Sequence, residues 1–167
     1  MRGGGGGKCK CGATTDSPCP SPPAMLPIQS KGCLTARIDK STTIWCLGHL
    51  ASHIDMKVDG LKAAGFANAK PMYCQAQSAQ ELKDLLAASP GSLLYVGGAM
   101  MKTHPELMDD LLTFVEKQAP LVAIEVLGMK QFDQFAPGHT TPPSVDDVAR
   151  VSVLHVAQLA EAWAARP

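Results

Sequence analysis

No stretch of this 167-residue chain approaches the roughly 18 consecutive apolar residues of a membrane-crossing helix. The first thirty residues also lack the apolar centre of a secretory signal. The expectation is therefore a soluble, cytoplasmic protein with no membrane partner, although the acid-poor, Ser/Thr-containing start of the chain leaves an organelle transit segment as the alternative. A clustered basic face is missing too. The formal net charge is zero, and residues 1–38 hold Arg2, Lys8, Lys10, Lys31 and Arg37 against Asp16 alone, so residues 39–167 carry ten bases and fourteen acids. A mildly acidic body does not suit the phosphate backbone of nucleic acid, which is excluded as an expected partner.

Paired cysteine knuckles are also absent. Of six cysteines, Cys9, Cys11, Cys19 and Cys33 lie in or beside the first forty residues, where a lone C-x-C is followed by irregular gaps. Structural zinc sites pair two short knuckles, and a chain of this size without a secretory signal does not depend on disulfides. Free thiols are the expectation. The chain has no phosphate-binding P-loop, no G-x-G-x-x-G and no H-E-x-x-H. Nicotinamide is disfavoured, and the loop after the first strand lacks the Ser/Thr-rich run that would cradle a flavin phosphate. The cofactor stays unknown, and no metal ligands are assigned.

Two compositions are present. Residues 1–39 contain Gly3 to Gly7 and then Pro18, Pro20, Pro22, Pro23 and Pro27, with few large apolar side chains. Such a segment buries too little surface to offset its ordering entropy and reads as a disordered tail. From residue 40 to 167, short β-rich runs alternate with helical periods, the pattern of a parallel sheet covered by helices. The strands are expected at Thr43 to Gly48, Asn68 to Cys74, Ser92 to Gly97 and Leu121 to Val126. The first and third are apolar on both faces and belong in the centre. Pro71 in the second lacks a ladder donor, and Glu125 in the fourth is polar, so both runs belong at edges. The expected fold is α/β: a single three-layer domain of the flavodoxin-like or Rossmann-like kind, with a four-stranded parallel sheet in order 2-1-3-4 and helices on both faces.

Four pairs of a hydroxyl residue followed three positions later by an acid mark helix starts: Ser52/Asp55, Ser78/Glu81, Thr103/Glu106 and Ser144/Asp147. Each pair can satisfy the orphan amides of a first helical turn. Apolar stripes at helical spacing follow, namely Ile54, Val58, Leu61; Leu82, Leu85, Leu86; Leu107, Leu111, Val115; and Val153, Val156, Ala160, Trp163. Gly65 and Gly91 stand where the first two helices or their turns should stop.

Open parallel sheets bind ligands beyond the carboxyl ends of the strands, where the strand order reverses. Here that point lies between strands one and three. The loops Gly48 to Ser52 and Gly97 to Thr103 meet there, both opening on glycine and leading to a helix start, a setting that favours an anion. Gly48, Ser52, Gly97, Gly98 and Thr103 are the candidate ligand-binding residues. His49, His53, His104 and His139 all fall in or beside loops on this same edge, whereas His155 lies in the last helix. Imidazoles gathered there can act as acid/base groups near neutrality, and His49, His104 and His139 are the candidate catalytic residues.

Cys46 joins them because it ends the first strand before a turn and a helix start, an environment that can lower a thiol pKa. The run Cys46-Leu47-Gly48-His49-Leu50-Ala51-Ser52 resembles the opening of the phosphate loop of the low-molecular-weight phosphatases. That family has an arginine six residues after the cysteine to clamp phosphate, and this chain has Ser52. Met100, Met101, Met108 and Met129 border the same edge, as packing residues or as the lining of an apolar pocket. The long connection from Gly128 to Pro143, with Phe132, Phe135 and His139, is expected to be an unstructured cover over the crevice.

The leading expectation is a domain that binds a small anionic molecule at the carboxyl ends of strands one and three, acting as a hydrolase or transferase through histidine acid/base chemistry. The alternative is a non-catalytic interaction module or homodimer scaffold, which needs a flat apolar patch where a binding site needs converging histidines.

Overall fold

The computed structural model describes residues 38–118 and 122–165. The tail expected over 1–39 therefore lies outside the described residues, except for its last two positions. Of those, Ile38 is buried in the core.

The strands are β1 (Ile44–Gly48), β2 (Ala69–Tyr73), β3 (Leu93–Gly97) and β4 (Ala123–Leu127). The helices are α1 (Ala51–Ala63), α2 (Ala79–Ala87), α3 (Met100–Thr103), α4 (Pro105–Gln118), α5 (Met129–Phe135) and α6 (Val145–Ala164). The strands form one parallel sheet in the order β2-β1-β3-β4, as the placement of Pro71 and Glu125 at edges requires. The register sets Cys46 beside Pro71 on one side and Tyr95 on the other.

All five residues of β1 are buried, because alternate side chains enter two different cores. Ile44 and Cys46 pack with Ile54, Leu61, Val151 and Val156 beneath α1 and α6. Trp45 and Leu47 pack with Leu82, Leu86, Leu111 and Val115 beneath α2 and α4. Each fully buried large apolar side chain contributes about 1.5–3 kcal/mol relative to exposure, so a two-sided β1 holds the layers together. Among the described residues no helix is long and apolar enough to cross a membrane.

Two of the four expected helix starts have their caps. Ser78 accepts from the Glu81 amide while the Glu81 carboxylate accepts from the Ser78 amide, and Ser144 accepts from the Asp147 amide. The other two differ. Helix α1 begins one residue before Ser52, with Leu50 as its N-cap and no side-chain cap. Thr103 ends α3 and starts nothing: its hydroxyl bonds back to the Ala99 carbonyl. The next helix opens on Pro105, whose ring suits a first helical position and drives the preceding His104 out of helical geometry, to φ −136° and ψ 59°.

Helix α1 stops as expected at Gly65, which sits at φ +102°. The Phe66 amide reaches the Leu61 carbonyl and the Gly65 amide reaches that of Lys62, a Schellman closure in which Phe66 and Leu61 join the same core.

The segment 128–143 is not an unstructured cover. Its first half is α5, started by the Gln131 side chain accepting from the Gly128 amide. Phe132 and Ala136 are buried in the core shared with α6, and Arg150 on α6 donates to the Phe135 carbonyl. Two aromatic residues at i and i+3 gave the segment an apolar face, and that face packs inward on α6.

Candidate functional site at the carboxyl ends of strands 1 and 3

The chain leaves β1 through Gly48 and His49 and enters α1 without a capping oxygen. The His53 and Ile54 amides both reach the Leu50 carbonyl, and the described residues offer no acceptor to the amides of Ala51 and Ser52. This is the positive end of a 13-residue helix, at which unsatisfied N–H groups point outward. Ser52 lies exposed in that first turn.

Lys57, two turns into α1, is the residue that sequence reasoning missed. It is only 2% exposed. Side chains on a helix lean towards its N-terminus, and that of Lys57 runs back to the sheet edge. Its Nζ stands 3.2 Å from the position a Cβ on Gly97 would take and 3.9 Å from the equivalent position on Gly48. It also lies 5.6 Å from the ring centroid of Tyr95. Among the described residues no carboxylate pairs with it. Burial lowers its pKa below the ordinary 10.5, while the neighbouring Cys46 opposes this. The sequence places Lys57 three residues after Ile54 and four before Leu61, on the buried stripe of α1, but not the course of its side chain.

Beside it stands a cluster of ring and thiol groups. The rings of His49 and His104 are 5.1 Å apart, and His49 Nδ1 is buried without a hydrogen-bond partner. His104 Nδ1 is 2.8 Å from Thr103 Oγ1, and His104 Nε2 is 3.7 Å from Cys74 Sγ. The Cys74 thiol donates to the Gly48 carbonyl at 3.4 Å. Burial raises its pKa above the ordinary thiol value. His53, in the first turn of α1, has its pKa lowered by burial, then by the nearby Lys57 and His49, which places it within the electrostatic reach of both. Cys74 escaped sequence reasoning because it follows an edge strand, whereas the switch-point rule directs attention to β1 and β3.

The remaining candidates stand apart. Cys46 is fully buried among Ile44, Ile54 and Tyr95, and burial pushes its thiol up to about 11. It is protonated and closed to solvent, so the likeness to a phosphatase loop ends at the cysteine as well as at Ser52. His139 bonds to the Thr140 carbonyl and to Asp133 with its ring against Phe132, a pairing internal to the 128–143 segment. Gly98 has a structural reason for being glycine: a Cβ there would stand 2.6 Å from the Leu127 carbonyl oxygen at the end of β4. Met100 and Met108 are buried core residues and Met129 is exposed.

Behind the site, Tyr95 and His155 meet in the core. Burial raises the Tyr95 pKa strongly, so its hydroxyl keeps its proton; it shares a hydrogen bond with His155 Nδ1 at 2.7 Å. The other ring nitrogen, Nε2, is bonded to Glu125 Oε2 at 3.2 Å. Thus Glu125, although on an edge strand, turns inward.

Among the described residues no three His, Cys, Asp or Glu side chains are arranged to hold a metal ion. The neighbours of the cluster are imidazoles, a thiol, the Thr103 hydroxyl, the Gln75 amide, a lysine and backbone. Comparison with protein-family models, with curated proteins and with solved structures returns no match to this chain.

Proposed function

We propose that the domain binds a small anionic molecule beyond the carboxyl ends of β1 and β3, and that it serves as a hydrolase or transferase using histidine acid/base chemistry. The observation that carries this reading is Lys57, whose amine is buried with no carboxylate partner among the described residues. A buried ammonium costs several kcal/mol after relaxation, and a bound anion is the group that would offset that cost. The uncapped start of α1 and the unpartnered His49 Nδ1 supply further donors on the same side. Gly48 and Gly97 leave room above the amine, since a side chain at Gly97 would press on Nζ.

Calorimetric titration with inorganic phosphate and with succinate, repeated in buffers of different ionisation enthalpy, tests the proposal. An anion beside Lys57 raises the pKa that burial lowers, so any change in protonation on binding should be uptake, and Lys57→Met should abolish binding. Absence of binding by either anion would remove the reading. The second reading, an interaction module or homodimer, is favoured by the exposed Leu50 before α1 and the exposed Met129 that opens α5. Sedimentation of the full chain would then show a dimer that Leu50→Ser dissociates.

A further inference from the structure

We infer that Cys74, paired with His104, is a thiol nucleophile that accepts acyl groups from small, negatively charged esters or thioesters. The substrate's charge rests on the anion-binding reading above; the thiol chemistry rests on the geometry of three side chains. A nucleophile of this kind needs a base within reach and a third group that orients the base. Cys74 Sγ faces His104 Nε2 at 3.7 Å, and Thr103 Oγ1 faces His104 Nδ1 at 2.8 Å.

The tautomer follows from the hydrogen bonds. The Thr103 hydroxyl donates its proton to the Ala99 carbonyl at 2.9 Å, so its oxygen accepts from Nδ1–H. That leaves the Nε2 lone pair facing the sulfur, and the thiol proton, which is directed at the Gly48 carbonyl at rest, turns to Nε2 for attack. Pro105 contributes by excluding His104 from the helix, which brings the ring to the sheet edge beside His49. The thiol is half-buried, unlike Cys46, which is closed within the core. Burial keeps Cys74 protonated at rest, so the resting pair is neutral and the proton moves during attack.

The chemistry balances with water as the second reactant. The Cys74 sulfur forms a bond to the acyl carbon as its proton passes to His104 Nε2. The carbon's bond to the leaving oxygen or sulfur breaks, and that atom takes the proton from His104. Water then attacks the thioester, giving a proton to His104 Nε2, and the acid departs as the proton returns to sulfur. Developing negative charge on the carbonyl oxygen would be met by the unbonded amides at the start of α1.

The test is acylation of the full chain by 4-nitrophenyl acetate and by the carboxylate-bearing mono-4-nitrophenyl succinate at neutral pH, followed by release of nitrophenolate and by site-resolved mass spectrometry. Cys74 should acylate about 100-fold faster in the folded chain than in guanidinium. His104→Gln should remove most of that gain, as general-base catalysis contributes about 100-fold or more. Thr103→Val should lower the rate and Thr103→Ser should restore it, which a purely structural role would not predict. Protection of Cys46 from alkylation reports in every variant that the fold is intact.

Equal rates for folded and unfolded Cys74, or a folded His104→Gln variant as fast as the parent, would overturn the inference. Phosphate binding together with an inert Cys74 would overturn it alone. A reactive Cys74 that treats both esters equally would overturn the anionic substrate class and the anion reading behind it.

Discussion

The Nζ of Lys57 and the α-carbon of Gly97 belong to different layers of the fold, yet a methyl group on Gly97 would stand 3.2 Å from that nitrogen. The two neighbouring glycines of this loop therefore answer to different constraints. Gly97→Ala meets the far end of a side chain, which can shift by a few tenths of an ångström. Gly98→Ala meets the Leu127 carbonyl oxygen at 2.6 Å, where backbone of β4 has to move. Gly98→Ala should destabilise by about 1–3 kcal/mol, as overpacking usually does, and Gly97→Ala by less than about 1 kcal/mol. Phosphate affinity should reverse the order among folded variants, with Gly97→Ala the weaker binder. Urea denaturation beside phosphate titration checks both halves.

Lys57→Met should stabilise the ligand-free protein, by about 1–4 kcal/mol, because it replaces a buried charge by an apolar side chain of similar length. The pH dependence has a definite sign. Folding lowers the Lys57 pKa below 10.5, so between the folded value and 10.5 the unfolded chain holds more protons and the parent gains stability as pH rises. Cys46 acts oppositely: its folded pKa, raised from 9.0 to about 11, makes stability fall as pH climbs through that interval. Lys57→Met also removes the positive charge that holds the Cys46 thiol down, so parent and variant are compared in a Cys46→Ala background. The stability difference between them should thus be largest below the folded Lys57 pKa and shrink as pH approaches 10.5. A difference independent of pH would show that Lys57 is not titrating in the folded chain.

Histidine NMR should separate two of the five rings. His139 should titrate above 6.5, held there first by the Thr140 carbonyl and then by Asp133, and Asp133→Asn should bring it down. The stability it contributes is present below 6.5 and is lost as pH rises through its folded pKa. His53 should titrate below 6.5, and Lys57→Met should move it upward by removing a neighbouring positive charge. A His53 resonance unmoved by that substitution would mean that the two groups do not sense one another.

Tyr95→Phe leaves His155 Nδ1 without its partner in the core and should cost about 1–3 kcal/mol. His155→Leu strands the Glu125 carboxyl and takes a partner from the Tyr95 hydroxyl, and should cost more, about 3–5 kcal/mol. Denaturant midpoints measure each; a loss below about 0.5 kcal/mol for both would show that water replaces the missing partners.

The sheet was legible because its determinants are local. Four apolar residues and a glycine in β1, a proline in β2 and an acid in β4 suffice to rank strands as central or edge. Helix starts were less so. The hydroxyl of Ser52 has the spacing of a capping box, but α1 already runs from Ala51, and Thr103 is spent on Ala99 and His104. The histidine pair His49 and His104 was visible as loop residues on one edge, since strand ends gather such loops. Cys74 and Lys57 were not, for different reasons. The first follows an edge strand away from the switch point. The second is a lysine on an apolar stripe, and its course back along α1 depends on the space that two glycines leave. The Tyr95, His155 and Glu125 chain joins residues 60 and 30 apart in sequence, a pairing that no local pattern encodes.

Helix α1, which carries Lys57, packs more extensively on α6 than on any other element, with Gly60 close against Val153. The two are separated by about eighty residues of chain. During synthesis at roughly 5–20 residues per second, α1 therefore emerges on the order of ten seconds before the helix that covers it. A nascent chain paused before residue 145 should leave the Gly60 face of α1 without its cover, an apolar surface open to solvent. Only the arrival of α6 closes that face, so protection of the α1 amides from hydrogen exchange would time-stamp the completion of the fold.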